Sequence, residues 1–226
     1  MDHTLDKPPQ VAAEATATER AYAALLGWIE RREIGSGSVL DERRLAEAIN
    51  VSRTPLRTAL SRLQGEGFIV RLSNGAMVVR DIGSGEVLEL LFVRRLLEPE
   101  AASLAAGRIP ADALDSLRTR LTGVNDGDSP ASVWLAGDEV HDLVANHCGN
   151  RSLGRLIQDA RRRIRMSSIE RVPGRDNHAV GEHLAIVDAL KAGDEEAARQ
   201  AMTRHLDNIR DGFLSAFGVG AAHVGG

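Results

Sequence analysis

Apolar positions along this chain keep two periods, and the change from one to the other marks out its elements. Tyr22, Leu25, Leu26 and Ile29 fall three and four residues apart, which predicts a helix from Glu19 that ends before Gly35-Ser36-Gly37. Leu40 to Ile49 reads as a short amphipathic helix with Asp41 as its N-cap, and Asn50-Val51-Ser52 as the tight turn after it. Leu56, Ala59, Leu60 and Leu63 then make one apolar stripe, opened by Ser52 as N-cap with Pro55 in the first turn, where a missing N–H costs little. Gly65-Glu66-Gly67 stops that helix. The period shortens: Phe68-Ile69-Val70-Arg71 reads as a strand, Ser73-Asn74-Gly75 as a hairpin turn and Met77-Val78-Val79-Arg80 as the returning strand. From Glu86 onward the helical period is unbroken, with segments predicted over 87–106, 111–124, 130–147, 152–169, 177–191 and 195–216. Pro110 and Pro130 open two of them, and Gly149-Asn150 and Gly193-Asp194 close two.

The fold class that follows is mainly α: an N-terminal winged helix-turn-helix of three helices and a small β-hairpin, then an all-α antiparallel helical bundle. The domain order read from the chain is a disordered segment over 1–18, where Pro8-Pro9 and an Ala/Thr-rich run leave little to bury, then the winged domain over 19–80. A flexible linker over 81–85, the bundle over 86–217 and a loose tail over 218–226 complete it.

Composition changes the picture in two places. Net charge is −4 overall, but residues 19–80 hold ten arginines against seven carboxylates, a balance of +3, so the acidity lies elsewhere in the chain. Only the winged domain is electrostatically suited to a polyanion. Cys148 is the single cysteine, which excludes an internal disulfide framework and fits a reducing compartment. No apolar run approaches the ~20 residues of a membrane span, and the acidic N-terminus lacks the pattern of a signal peptide. A cytoplasmic protein with no membrane partner is the expectation.

The third helix carries the sharpest chemistry. Between Val51 and Gly65 stand three arginines and no carboxylate, with Arg53, Thr54 and Arg57 off the apolar stripe and near the positive end of the helix dipole. The motifs Gly37-Ser38-Val39-Leu40-Asp41-Glu42-Arg43-Arg44-Leu45-Ala46, Ser52-Arg53-Thr54-Pro55-Leu56-Arg57 and Leu63-Gln64-Gly65-Glu66-Gly67-Phe68 follow in order. Together they resemble the winged helix-turn-helix of the GntR family of bacterial transcription regulators. The resemblance implies double-stranded DNA as partner, contacted by Arg43, Arg53, Thr54 and Arg57 and by the wing-tip Gly75. A homodimer on a pseudo-palindromic operator would place two copies of Arg53 and Arg57 on two half-sites.

In the second domain five of the seven histidines lie in helical segments. Asp138 and His141 are three residues apart on one helix, and His183 and His205 stand mid-helix on the last two. Such side chains are either hydrogen-bonded core histidines or, if they converge, N and O ligands for zinc, nickel, manganese or iron. Val93-Arg94-Arg95-Leu96-Leu97-Glu98-Pro99, followed by paired alanines, resembles the opening of the FCD effector-binding domain of the FadR branch. That resemblance implies a divalent metal, zinc first among the candidates, held by His141, His183 and His205 and by an aspartate. Here the residue matching that aspartate is Gly137, and Val140 stands at the family's phenylalanine. Either Asp138 reaches the metal from its shifted position, or the centre has three protein ligands. Arg94 matches an arginine suited to a ligand carboxylate, the other reading being an i to i+4 ion pair with Glu98. Cys148 reads as a small packing residue.

The expected function is a DNA-binding transcription regulator, a repressor, whose operator affinity is set by a small organic acid bound near the metal. Two rivals stand beside it: a metalloenzyme tethered to DNA, and a ligand-insensitive regulator with a degenerate metal site. Against an enzyme, no His-Glu-x-x-His arrangement and no nucleophile motif is present.

Overall fold

The computed structural model describes residues 15–123, 130–167 and 176–217, and for 130–135, 176–178 and 217 the backbone alone. Among them the order is α1 (Ala17–Glu30), α2 (Glu42–Ile49), α3 (Arg53–Gly65), β1 (Ile69–Arg71), β2 (Met77–Val79), α4 (Ser84–Ala105), α5 (Ala111–Thr122), α6 (Pro130–His147), α7 (Arg151–Met166), α8 (Asp176–Ala192) and α9 (Glu195–Phe217). The helix-rich class with one small hairpin is the one predicted. Two compact units divide the chain, Met1–Val87 with Arg162–Ile169 and Leu88–Arg161 with Glu170–Gly226.

In the first unit α1 begins two residues before the expected start because Thr16 caps it. The Thr16 hydroxyl accepts from the Glu19 amide at 3.2 Å while Glu19 accepts from the Thr16 amide at 2.8 Å, a reciprocal capping box. Ala17 and Thr18 are thus helical rather than disordered; residues 1–14 and 218–226 lie outside the described residues. The buried face of α1 is Ala21, Ala24, Leu25, Trp28 and Ile29, rotated from the expected stripe so that Tyr22 is only half-buried. Those side chains meet Leu56, Ala59, Leu60 and Leu63 of α3, all fully buried. Burying each large aliphatic group contributes about 1.5–3 kcal/mol. Tyr22 ties the same two helices at their edge: its hydroxyl donates to Glu66 at 2.5 Å, and the Arg62 guanidinium, itself bonded to Glu66 at 2.9 Å, lies 3.8 Å above the ring.

Asp41 caps α2 by accepting from the amides of Arg43 and Arg44, and Asn50 ends it in the left-handed region, φ 56°, as the turn requires. Ser52 stands at the N-cap of α3 but makes no side-chain cap bond. The third residue of that helix is Pro55, which has no N–H to give, so one of the two usual partners of a cap hydroxyl is missing. β1 and β2 pair antiparallel in the register Ile69 to Val79 and Arg71 to Met77, and Val39 adds a bridge to Val78 that no sequence period announced.

The expected five-residue linker is shorter than read. Ser84 and Gly85 already belong to α4, and Ile82 is fully buried, which leaves Asp81-Ile82-Gly83 as a pinned connection. In the second unit α5 to α9 enclose a core of Leu114, Leu117, Leu121, Val140, Val144, Ile157, Ile186, Val187, Leu190, Met202 and Leu206 with alanines of α4. Cys148 is buried in that core as a packing residue. On α6, α8 and α9 in turn, His141, His183 and His205 are buried in the same interior.

Candidate DNA interface and metal centre

Arg53, Thr54 and Arg57 project from the first turn and a half of α3 and are exposed, as is Arg43 on α2. Two of these arginines are pre-positioned by carboxylates: Arg57 donates through Nε to Glu42 at 2.7 Å, and Arg43 through Nη1 to Glu47 at 3.2 Å. Holding Arg57 by Nε anchors the planar end of the side chain. Gly75 sits at the hairpin tip with φ +86°, a conformation that L side chains rarely adopt, while a Cβ there would meet nothing within 4 Å. Its glycine is a requirement of backbone shape and not of space. Arg71 closes the tip by donating to the Gly75 carbonyl at 3.2 Å.

In the bundle His141, His183 and His205 are brought together, each buried, with one ligand atom apiece all lying within 4.8 Å of one another. Ring centroids are separated by 5.6 Å, 5.0 Å and 4.4 Å for the three pairs. His141 Nδ1 faces Glu98 at 2.5 Å and His205 Nδ1 faces Glu182 at 2.7 Å, while the two Nε2 atoms approach each other at 3.1 Å. Both ring nitrogens of His183 are buried with no hydrogen-bond partner among the described residues.

The protonation states of these groups decide what the arrangement favours. Burial pushes His141 down to about 3, only partly opposed by Glu98, and burial likewise lowers His183 and His205, so all three rings are neutral at pH 7. Burial would raise the Glu98 carboxyl, but Arg94 at 2.6 Å and then His141 outweigh it and hold it well below the usual carboxylate range. A neutral imidazole facing an ionised carboxylate must donate its one N–H there. Nδ1–H is therefore spent on Glu98 in His141, and on Glu182 in His205, which leaves two Nε2 lone pairs 3.1 Å apart. Lone pairs at that separation repel unless they share something electropositive. With the unpartnered nitrogens of His183 beside them, the donor set fits a divalent cation that takes nitrogen ligands.

Asp138 stands outside that set. Its carboxylate accepts from the buried Arg161 at 2.6 Å, and Arg161 also reaches the Asp138 carbonyl at 2.9 Å and Asp142 at 3.0 Å. Arg94 is buried and donates through Nε to Glu98, the i to i+4 pair. His147 donates through Nδ1 to the Leu143 carbonyl of its own helix at 2.9 Å and takes no part; the His178 side chain lies outside the described residues. At Gly137, one turn before His141, a built Cβ would lie 2.4 Å from Cε1 of His183. The imidazole occupies the space that a side chain on α6 would need.

Residues 17–79 match the bacterial regulatory proteins of the gntR family, and residues 89–208 match the FCD domain. The chain belongs to the GntR family. The Nta operon transcriptional regulator of Aminobacter aminovorans is 30% identical over 178 residues, covering 76% of this chain and 85% of that protein. A probable D-xylose utilization operon transcriptional repressor of Paenarthrobacter nicotinovorans is 28% identical, over 75% and 76% of the two chains. Among solved structures E. coli McbR/YncC shares the fold at a TM-score of 0.74 with 19% identity, across 90% of this chain and 99% of that one. This GntR-family protein is therefore a DNA-binding transcription regulator and not an enzyme. No described helix is long and apolar enough to cross a membrane.

Glu98, Glu182 and Arg161 escaped the sequence reading as parts of the centre. Glu98 meets His141 across 43 positions and Glu182 meets His205 across 23, separations at which no local period reports. The one local signal was the i to i+4 spacing of Arg94 and Glu98, which reads as an ion pair and not as part of a metal centre.

Proposed function

We propose that this regulator is a metal-containing, effector-responsive repressor that binds a pseudo-palindromic operator as a homodimer in the cytoplasm. The observation that carries the effector half is the buried trio His141, His183 and His205, whose lone pairs converge while two of the rings are backed by carboxylates. These three residues would hold the ion, zinc first, with nickel, manganese or iron accepted by the same donors. Once bound, it supplies a concentrated positive charge and open coordination positions that favour a small carboxylic acid. Arg94, buried beside Glu98, would receive a second carboxylate of such a ligand. Arg43, Arg53, Thr54, Arg57 and Gly75 would contact DNA, phosphates first and base edges from the head of α3. Operon-specific relatives, one of them a probable repressor, support the sign of regulation.

Effector control requires that the acid bind the operator-competent and operator-incompetent states with different free energies, typically by ~1–3 kcal/mol. Metal analysis of protein purified in metal-replete medium, beside His183→Ala, tests the centre: near-stoichiometric metal in the wild type and its loss in the variant are expected. Fluorescence anisotropy on duplexes from upstream of its own gene, with and without a panel of mono- and dicarboxylic acids, tests the control. Wild-type protein free of metal would remove the metal; operator affinity indifferent to every acid would remove the carboxylate effector.

A further inference from the structure

Around the three histidines the fold invests two carboxylates that the DNA-binding and effector roles leave unexplained. Glu98, on α4, is wholly buried and splits its oxygens between Arg94 Nε at 2.6 Å and His141 Nδ1 at 2.5 Å. Glu182, on α8, gives one oxygen to His205 Nδ1 at 2.7 Å and the other to Asn208 Nδ2 at 2.8 Å. Each carboxylate is thus held at both oxygens and cannot turn away from its imidazole. We propose that Glu98 and Glu182 are positioning residues of a three-histidine metal centre, fixing His141 and His205 as Nδ1–H tautomers whose Nε2 lone pairs face the ion, in place of the carboxylate that α6 lacks at Gly137.

The inference rests on the metal reading above and extends it to the residues that set the ligands' basicity. A carboxylate that accepts from one ring nitrogen raises the electron density at the other and so strengthens it as a ligand. Both carboxylates sit one bond outside the donors, so the ligand set itself stays neutral and the ion keeps its charge toward a carboxylate ligand. His183 shows the contrast that makes the assignment specific. Among the described residues no carboxylate backs it, and its ring is set by shape, lodged where a Cβ on residue 137 would come within 2.4 Å. If Glu98 served only to neutralise Arg94, its second oxygen would have no reason to meet an imidazole nitrogen.

The test measures zinc and cobalt(II) on the full chain at pH 7.5. Zinc Kd is read by competition with a chromophoric chelator, and the cobalt(II) ligand-field bands report the donors directly. Glu98→Gln and Glu182→Gln are each expected to weaken zinc roughly 10–100-fold and to move the cobalt bands, with thermal unfolding run alongside. Glu182 stands nearer the surface, its side chain 17% exposed, so Glu182→Gln decides the matter should Glu98→Gln fail to fold. A zinc Kd within twofold of wild type and unmoved cobalt bands in the folded glutamine variants would overturn the inference, while loss of zinc in His183→Ala under the same conditions would show that the metal reading itself survives. Wild-type protein that takes neither ion would sink both.

Discussion

At Gly137 a single hydrogen faces the His183 imidazole, and a methyl in its place would lie 2.4 Å from Cε1. Helix propensity alone favours alanine over glycine there by about 0.8–1.0 kcal/mol. Overpacking a buried site costs about 1–3 kcal/mol, so the clash outweighs the propensity. Gly137→Ala is therefore expected to lower both stability and zinc content, measured by urea unfolding and by metal analysis after chelator challenge. Gly137→Asp should likewise lose metal, because its carboxylate arrives only by displacing a histidine, whereas Asp138→Ala, whose carboxylate serves Arg161, should keep it. Tighter zinc binding by Gly137→Asp would show that the ring can yield. The same histidines set a pH dependence for the metal-free protein. Their folded pKa values lie below the ordinary 6.5, His141 at about 3, so above pH 6.5 both folded and unfolded chains carry them neutral. As pH falls below 6.5 the unfolded chain takes up protons that the folded one refuses, and stability drops by up to about 1.4 kcal/mol per pH unit for each such ring. Urea midpoints in chelator at pH 7.5, 6 and 5 check it; His141→Asn should flatten the slope.

Elements were more legible in the sequence than their contacts. The recognition helix, the wing and the helical succession after it follow from periods of 3.6 and 2, since those periods are dictated by which face each element must bury. What period cannot carry is a partner far along the chain, which is why the contacts of Glu98 and Glu182 with the histidines went unread while His141, His183 and His205 were found through their resemblance to a family pattern. Trp28 was missed for another reason: alanines fill the α1 face with it, and Ala21 and Ala24 send too weak a signal to set the stripe's phase. The unused cap at Ser52 follows from Pro55, a local exception that the N-cap rule did not weigh. For α3 the exposed arginines lead to a direct expectation. Arg53→Ala or Arg57→Ala should cost ~1–3 kcal/mol of discrimination between operator and scrambled duplex if the residue reads a base, and should weaken both duplexes alike with a shallower salt dependence if it holds phosphate. Anisotropy titrations at several salt concentrations separate these, and unchanged binding in both variants would remove the assignment of α3.

At the scale of the whole molecule the proposed dimer needs an apolar face, and α4 offers one. Phe92, Val93 and Leu96 are exposed by 54%, 38% and 60% although they stand on a helix whose other side is buried. Large apolar groups left together on a surface mark association sites. Leu96→Glu is expected to shift sedimentation from dimer to monomer at micromolar concentration and to weaken operator binding with it; a dimer unaffected by the change places the interface elsewhere. Because the chain divides into two compact units, a single melting temperature need not describe it. Tyr22 resolves that difficulty. As the sole tyrosine, lying in the first unit with its hydroxyl on Glu66, it is pushed up to about 12 by burial and by that carboxylate. Its phenol should ionise near pH 12 while the winged unit is folded and near 10 once it is not, so the absorbance at alkaline pH is an optical gauge of the DNA-binding half alone, free of any signal from the bundle.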